Sequence, residues 1–402
     1  MTPRGLPDYT RQVQVVVPEL EAPGLYMAVN TAQKTANTLT TQYLKEQCTL
    51  PDYTTLASPI GMMTSYEGGY IARALIYKAG AGEVALAKSI LDVWAAHQKS
   101  DGSWSQQYLP YLNAAGTHDE YEDLQVDAGA ALLAWAMAEY DKSQGGASVV
   151  YKAYVQLAFN FLRAAQLSLY GAVGTGLLCN QRKDGAWNYS ALAADCAEVL
   201  LATAAVLDQY GSTLANQAGY FIATFGNDLY ESIALYLYTS DALRYYNTAY
   251  PATGPVWGID TIKSQISFSQ ALCAWAVKIW AGKAYRTGAD YSAQAEKVLD
   301  KSVALCMGKW GGIMYRPFED TAVDKRDEYT NYAAIMAQAL AAVNASKYAN
   351  QILRLKYFIQ LAAFSRGEVH DYIPPSGRMD IAVNAHYGFL SLNAANGLLA
   401  GA

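Results

Sequence analysis

The sequence predicts an all-α chain folded as an (α/α)6 toroid, six helical hairpins set in two concentric rings. Three observations point there. Twelve apolar-striped segments of helical period follow one another, their links alternate between short and long, and every second segment is apolar nearly all round. The segments fall near 28–48, 60–80, 83–100, 125–142, 147–170, 191–210, 213–240, 262–282, 288–307, 328–345, 347–366 and 381–398. Outside them the one clear strand signal is Gln12 to Val17, where Val alternates with Gln and then runs on.

The links after the even-numbered segments are brief and rich in Gly: Ala79–Gly82, Gln144–Gly146, Gly211–Ser212, Thr287–Gly288 and Ala345–Ser346. Those before the even-numbered segments are long and aromatic, among them Asp101–Leu124, Gly171–Ser190, Asp241–Asp260, Gly308–Asp327 and Gly367–Arg378. Short turns make antiparallel neighbours, so strict alternation puts every long loop at one end. Even segments such as Ala128–Ala138 are apolar on all faces and read as the inner ring. Odd ones such as Glu83–Lys99 keep a charged face and read as the outer ring. This predicts an extended arm over residues 1–27 and one barrel domain over 28–402.

Composition narrows the function. A net charge of -6 excludes the basic stripe that nucleic acid demands. With 52% hydrophobic and 16% charged residues a large core is expected, yet no apolar run reaches membrane-spanning length. The N-terminus has no apolar signal-peptide core. Five cysteines lie scattered without CxxC spacing and read as small buried thiols. Neither a metal nor a cofactor is expected.

Aligning the inner segments on their Ala-Leu-x-Ala-Trp-Ala register places Asp127 level with Ser267. The same register brings Glu67, Asp195, Asn331 and Asn384 to that level, a polar ring at the mouth with three carboxylates on consecutive hairpins. Partly positive helix N-termini favour such anions. Capping is the competing reading, and it suits Asp195 and Asn331 best. Glu67 is expected inside its helix, before Gly68-Gly69, where missing Cβ atoms would open space beside it.

Two loops repeat one pattern, Gln98-Lys-Ser-Asp101-Gly102-Ser-Trp104 and Gln181-Arg-Lys-Asp184-Gly185-Ala-Trp187. Asp-Gly makes a tight turn and Trp then anchors the loop. The pattern resembles the Gln-Trp repeats of squalene and terpene cyclases, and equally the Gln-x-x-Asp-Gly-Ser-Trp turns of the six-hairpin glycosidase-like group. That group includes glucoamylase-like hydrolases, unsaturated uronyl hydrolases, sugar epimerases and polysaccharide lyases. Asp195-Cys196-Ala197-Glu198 is similar to a cyclase segment but lacks its Thr, and no alkene-protonating Asp-x-Asp-Asp run is present. The glycosidase-like resemblance spans residues 28–398.

That resemblance implies glycan binding where the inner helices begin. Trp104, Trp187, Trp257 and Tyr315 would be stacking platforms, with Arg182, Arg316 and Arg378 for carboxylates or hydroxyls. A hydrolase would use Glu67 as acid and Asp127 as base, with Asp195 the third carboxylate. A lyase would draw on Tyr66, His386, Tyr387 and Arg316. The acidic runs His118–Asp123 and Glu319–Glu328 read as solvated helix-start faces, lacking calcium-loop spacing. Two functions result: a carbohydrate-active enzyme, hydrolase or lyase, or a non-catalytic glycan-binding or structural protein of a virion or surface assembly. The N-terminal arm is expected to pack along the barrel or to pair with a neighbouring chain in a homo-oligomer, which leaves room for the second.

Overall fold

The computed structural model describes residues 63–115, 118–173, 175–240, 244–246, 248–251, 257–259, 267–314, 327–361 and 372–373. Ten α-helices lie among them: α1 Ser65–Lys78, α2 Ala81–Ala96, α3 Asp127–Ser143, α4 Lys152–Val173, α5 Ala193–Tyr210, α6 Ile222–Ser232, α7 Ser267–Ala281, α8 Ser292–Cys306, α9 Thr330–Asn344 and α10 Ala349–Leu361. They match the second to eleventh predicted segments. The first and last segments, the arm and its Gln12–Val17 strand lie outside the described residues.

Helices α1, α3, α5, α7 and α9 pack side by side in chain order, and each pairs with the helix after it. The first set is the inner ring and the second the outer. Burial agrees, since α3 is buried along nearly its whole length whereas α2 buries one stripe, Ala87, Ile90, Leu91, Trp94 and Ala95. On the opposite face of α2, Lys88 and Asp92 pair in solvent at 2.6 Å. No described helix is long and apolar enough to cross a membrane.

The short links close one end. Ala79 takes the left-handed conformation at φ 58° to end α1, and α2 begins two residues later. Between α3 and α4 the buried Asp141 accepts from Ser148 (2.9 Å), the Tyr151 amide (3.1 Å) and the Tyr210 hydroxyl (2.7 Å), tying the turn to α5. The link after α5 is longer than predicted, and the segment expected over 213–240 becomes helical only at Ile222. A turn closed by Gly219 (φ 83°) and by Asn216, which accepts from the Tyr220 amide at 2.9 Å, holds the chain back. Beyond Ser232, Ile233–Leu237 widens into a π-helix.

At the other end the long loops contain strands that periodicity did not signal. They are β1 Met63–Thr64, β2 Gln107–Leu112, β3 His118–Glu120, β4 Leu124–Val126, β5 Gln181–Lys183, β6 Ala186–Asn188, β7 Ala191–Leu192, β8 Tyr238–Thr239, β9 Arg244–Tyr245, β10 Thr248–Pro251, β11 Trp257–Ile259, β12 Ile313–Met314, β13 Glu328–Tyr329 and β14 Tyr372–Ile373. Runs of two to six residues are too short for alternation to register. Their pairing obeys a rule: the strand entering an inner helix pairs antiparallel with the loop that leaves the same hairpin. Thus β1 pairs with β2, β4 with β5, β7 with β10 and β13 with β14. Each of these inner helices is therefore held at its N-terminus by a backbone ladder.

Candidate active site

Local sequence places the carboxylates at this braced end. Glu67 is the third residue of α1, Asp127 the first of α3 and Asp195 the third of α5. Asn331 is second in α9, and Ser267 is the first described residue of α7. All five are buried, Asp127 completely. These five lie in the first described turn of their helices; Asn384 lies outside the described residues.

Glu67 differs from expectation in its surroundings. Thr64 caps α1: its hydroxyl accepts from the Glu67 amide (3.2 Å) and donates to Oε2 of Glu67 (2.8 Å). The Thr-x-x-Glu spacing is a capping-box signature that the sequence displays. Gly68 and Gly69 do not open space beside it. A Cβ on Gly68 would strike the Trp94 indole, and one on Gly69 would sit 2.8 Å from Leu132, so the glycines let α2 and α3 close on α1. Gly129 likewise lets the first turns of α1 and α3 touch, because a Cβ there would meet Ser65.

Asp127 turns Oδ1 back onto the Ala128 amide (2.8 Å). Its buried Oδ2 receives no donor among the described residues. The Asp195 carboxyl of α5 is a neighbouring acid whose charge acts on Asp127. Burial, then the neighbouring Asp195 charge, push Asp127 well above the usual carboxylate range. Burial lifts Asp195 to about 7, with the bond to Asp127 pulling it back.

One turn deeper lies Glu198, which sequence reasoning did not single out. It is buried, accepts a short hydrogen bond from the Tyr70 hydroxyl across the lumen, and is pushed up to about 8 by burial and then by Asp195. Tyr66 stands above it on α1. Desolvation, followed by Asp195, Glu198 and Asp127, pushes its phenol well above 10, so it keeps its proton. Deeper still, Arg73 binds Glu139 at 2.9 Å and Tyr77 at 3.1 Å, with its guanidinium 3.4 Å over the Trp135 ring. Tyr66, Tyr70, Arg73 and Tyr77 keep the i, i+4, i+7, i+11 spacing of one helix face. That polar stripe on an apolar inner helix was the available signal.

The repeated loops build the rim, and their tryptophans differ. Trp104 is 1% exposed and donates to the Trp94 carbonyl at 2.6 Å, so it anchors the loop and offers no open face to a sugar. Trp187 is half-buried, stacked on Phe161 at 5.4 Å. Arg182 is not free for a ligand: it holds Asp101 (2.6 Å), Gln125 (2.9 Å) and Ser103 (3.3 Å), joining one loop to the other. The acidic run before α3 is engaged too, Lys99 bridging Glu120 and Asp123 while Lys183 takes Glu122. Of the second run, buried Glu328 accepts from the Trp310 (3.0 Å) and Gly312 (2.7 Å) amides. Trp257 lies in β11, seen as backbone; Tyr315, Arg316, Arg378, His386 and Tyr387 lie outside the described residues. Cys179, Cys196, Cys273 and Cys306 are buried free thiols.

No protein-family model and no curated protein sequence matches the chain. Solved structures do. A D-mannose isomerase superposes with a TM-score of 0.70 at 12% identity, covering 92% of this chain and 98% of its own. Cellobiose 2-epimerase from Bacillus thermoamylovorans B4167 gives 0.68 at 9% identity over 92% and 99%. The GH76 α-mannanase BT2949 of Bacteroides thetaiotaomicron gives 0.62 at 10% over 92% and 96%. The fold is an (α/α)6 toroid. At such identities the likeness establishes architecture, and chemistry has to be argued from the side chains.

Proposed function

We propose that the chain is a carbohydrate-active enzyme, a glycoside hydrolase working at the mouth of the toroid. The observation that carries this reading is a pair of carboxyl groups, Asp127 and Asp195, buried in the first turns of neighbouring inner helices. A pair with one member near 7 can hand a proton to a leaving oxygen at neutral pH. Glu67, hydrogen-bonded by Thr64 and seated one helix away, supplies the second carboxylate that hydrolysis needs as base or nucleophile. This reverses the expected direction, in which Glu67 was the acid. Tyr66, the candidate lyase base among the described residues, keeps its proton among three carboxyl groups, which supports a hydrolase over a lyase.

Around this centre we assign sugar contacts to Trp187, Trp257, Tyr315, Arg316, Asn331, Asn384 and His386. The architectural relatives support a saccharide as the ligand, since the names of those cited are an isomerase, an epimerase and a mannanase of sugars. A pair of neighbouring carboxyl groups also suits proton exchange at a carbon beside a carbonyl, and that is the second reading. One experiment separates the two: a panel of oligosaccharides and free aldoses is incubated in deuterated water with wild type and Asp127→Asn. New reducing ends, lost in the variant, support hydrolysis; deuterium entering at C2 without cleavage supports isomerisation. Saccharide binding with neither product supports the non-catalytic alternative and overturns both.

A further inference from the structure

The geometry points to a second saccharide-binding site on the outer wall, in the groove between α4 and α6. The groove has a volume of about 420 Å³, within the usual range for small-molecule sites, and is lined by Arg163, Thr175, Asp228, Glu231, Leu235 and Tyr236 among others. It lies outside the inner ring that carries the mouth carboxylates.

The floor is built and rigid. Gly176 lies so close to α6 that a Cβ would strike the Asp228 carbonyl. Its amide donates to Ser232 Oγ at 2.7 Å, and its carbonyl accepts from Gln166 at 2.8 Å. Beside it Thr175 is 2% exposed, and its hydroxyl engages no group among the described residues. The far wall is the π-helix Ile233–Leu237, whose wider turn carries Leu235 and Tyr236 outward, 55% and 45% exposed. Leu167 faces the same groove from α4 at 50%. Single-turn π segments are rare and recur at functional sites.

The lining selects the ligand. Two carboxylates, Asp228 and Glu231, face one guanidinium, and Arg163 is already engaged by Asp228 at 3.8 Å and by the Tyr220 ring at 4.0 Å. Phosphorylated or otherwise anionic ligands are therefore repelled. A docking helix would want a continuous apolar stripe, whereas here most lining side chains form hydrogen bonds and only Leu167, Leu235 and Tyr236 offer apolar surface. A neutral sugar matches that mixture, its C–H face on Tyr236 and the leucines and its hydroxyls on the carboxylates and Thr175.

The test uses calorimetric titration of mannan, β-glucan and xylan hexasaccharides into the full chain carrying Asp127→Asn, which slows turnover. Two binding events are expected with at least one hexasaccharide. Adding Tyr236→Ala with Asp228→Asn should weaken one event about five- to ten-fold or more and leave the other, while Tyr236→Phe retains both. A single event indifferent to Tyr236→Ala overturns the outer site and leaves the mouth reading standing. A single event abolished by Tyr236→Ala, with unchanged circular dichroism, upholds the outer site and counts against the mouth. No binding across the panel, or binding of peptides instead, overturns the proposal.

Discussion

The inner ring begins in two ways. From α1 to α5 the first turns carry Glu67, Asp127 and Asp195, while α7 and α9 carry Ser267 and Asn331 at the same level and the same depth of burial. The neutral members are satisfied by nearby groups. Ser267 donates to the Met314 carbonyl at 2.6 Å, and Asn331 accepts from the Tyr332 amide at 2.9 Å. Asp127 makes the same local bond as Asn331, to the amide of its own successor. Its second oxygen is buried without a donor among the described residues. Holding a helix start in this toroid thus needs a polar side chain but not a charge; Glu67 has its capping partner in Thr64, and the charges of Asp127 and Asp195 are left without a structural explanation.

The sharpest way to break this contrast is to convert one arc into the other. Asn331 shows that an amide fits the register, so Asp127→Asn should fold as wild type and keep its bond to Ala128. We expect turnover to fall by about 10²- to 10⁴-fold, the usual share of general acid–base catalysis, with saccharide affinity retained. Steady-state rates beside a binding titration check this. Undiminished turnover would make the acidic arc a structural accident.

The second effect is on stability and needs no substrate. Asp127, Asp195 and Glu198 all bind protons more tightly in the folded chain than the ordinary values near 4 of the unfolded one. Their neutral forms are the ones that fit, so stability is full below about pH 4 and declines as pH rises toward 8. The ceiling is about 1.4 kcal/mol per pH unit for each group. Glu198→Gln removes one of these groups and keeps an acceptor for Tyr70. Denaturant unfolding at pH 5, 6.5 and 8 should show a shallower decline in this variant. An equal slope would mean that water reaches the lumen and screens the cluster.

Converting in the other direction is expected to cost less. Asn331→Asp puts a carboxylate into a 5% exposed position on the neutral arc, where the amide it replaces is already placed. The Tyr332 amide still donates to it, so the loss should be about 1–3 kcal/mol at pH 8 and nearly nil at pH 4. Melting temperatures at the two pH values report it.

How much of this was legible splits along the same divide. The alternation of short and long links and the all-apolar inner helices are repeated, so independent errors cancelled and the rings emerged from the sequence. Heights within the first turn emerged as well, because one register runs through several helices. Partnerships did not. That Asp127 and Asp195 act on each other, and that Tyr70 reaches Glu198 from another helix, depend on contacts between segments 68 and 128 positions apart. Trp104 and Trp187 read alike because their motifs are alike. One is buried under α2 and the other half-open beside Phe161, a difference made by what packs against each loop.

The smallest effect tests whether the neutral arc is structural. Ser267→Ala deletes one hydroxyl and leaves the Met314 carbonyl without that donor. A single neutral hydrogen bond is worth about 1 kcal/mol, so stability should fall by that amount, with turnover and saccharide affinity unchanged. If α7 bears on the reacting sugar, the variant would instead alter KM while its unfolding free energy stayed within error. Such a result would extend the site past the acidic arc. A loss confined to stability would leave the proton chemistry on α3 and α5, where the two buried carboxyl groups lie.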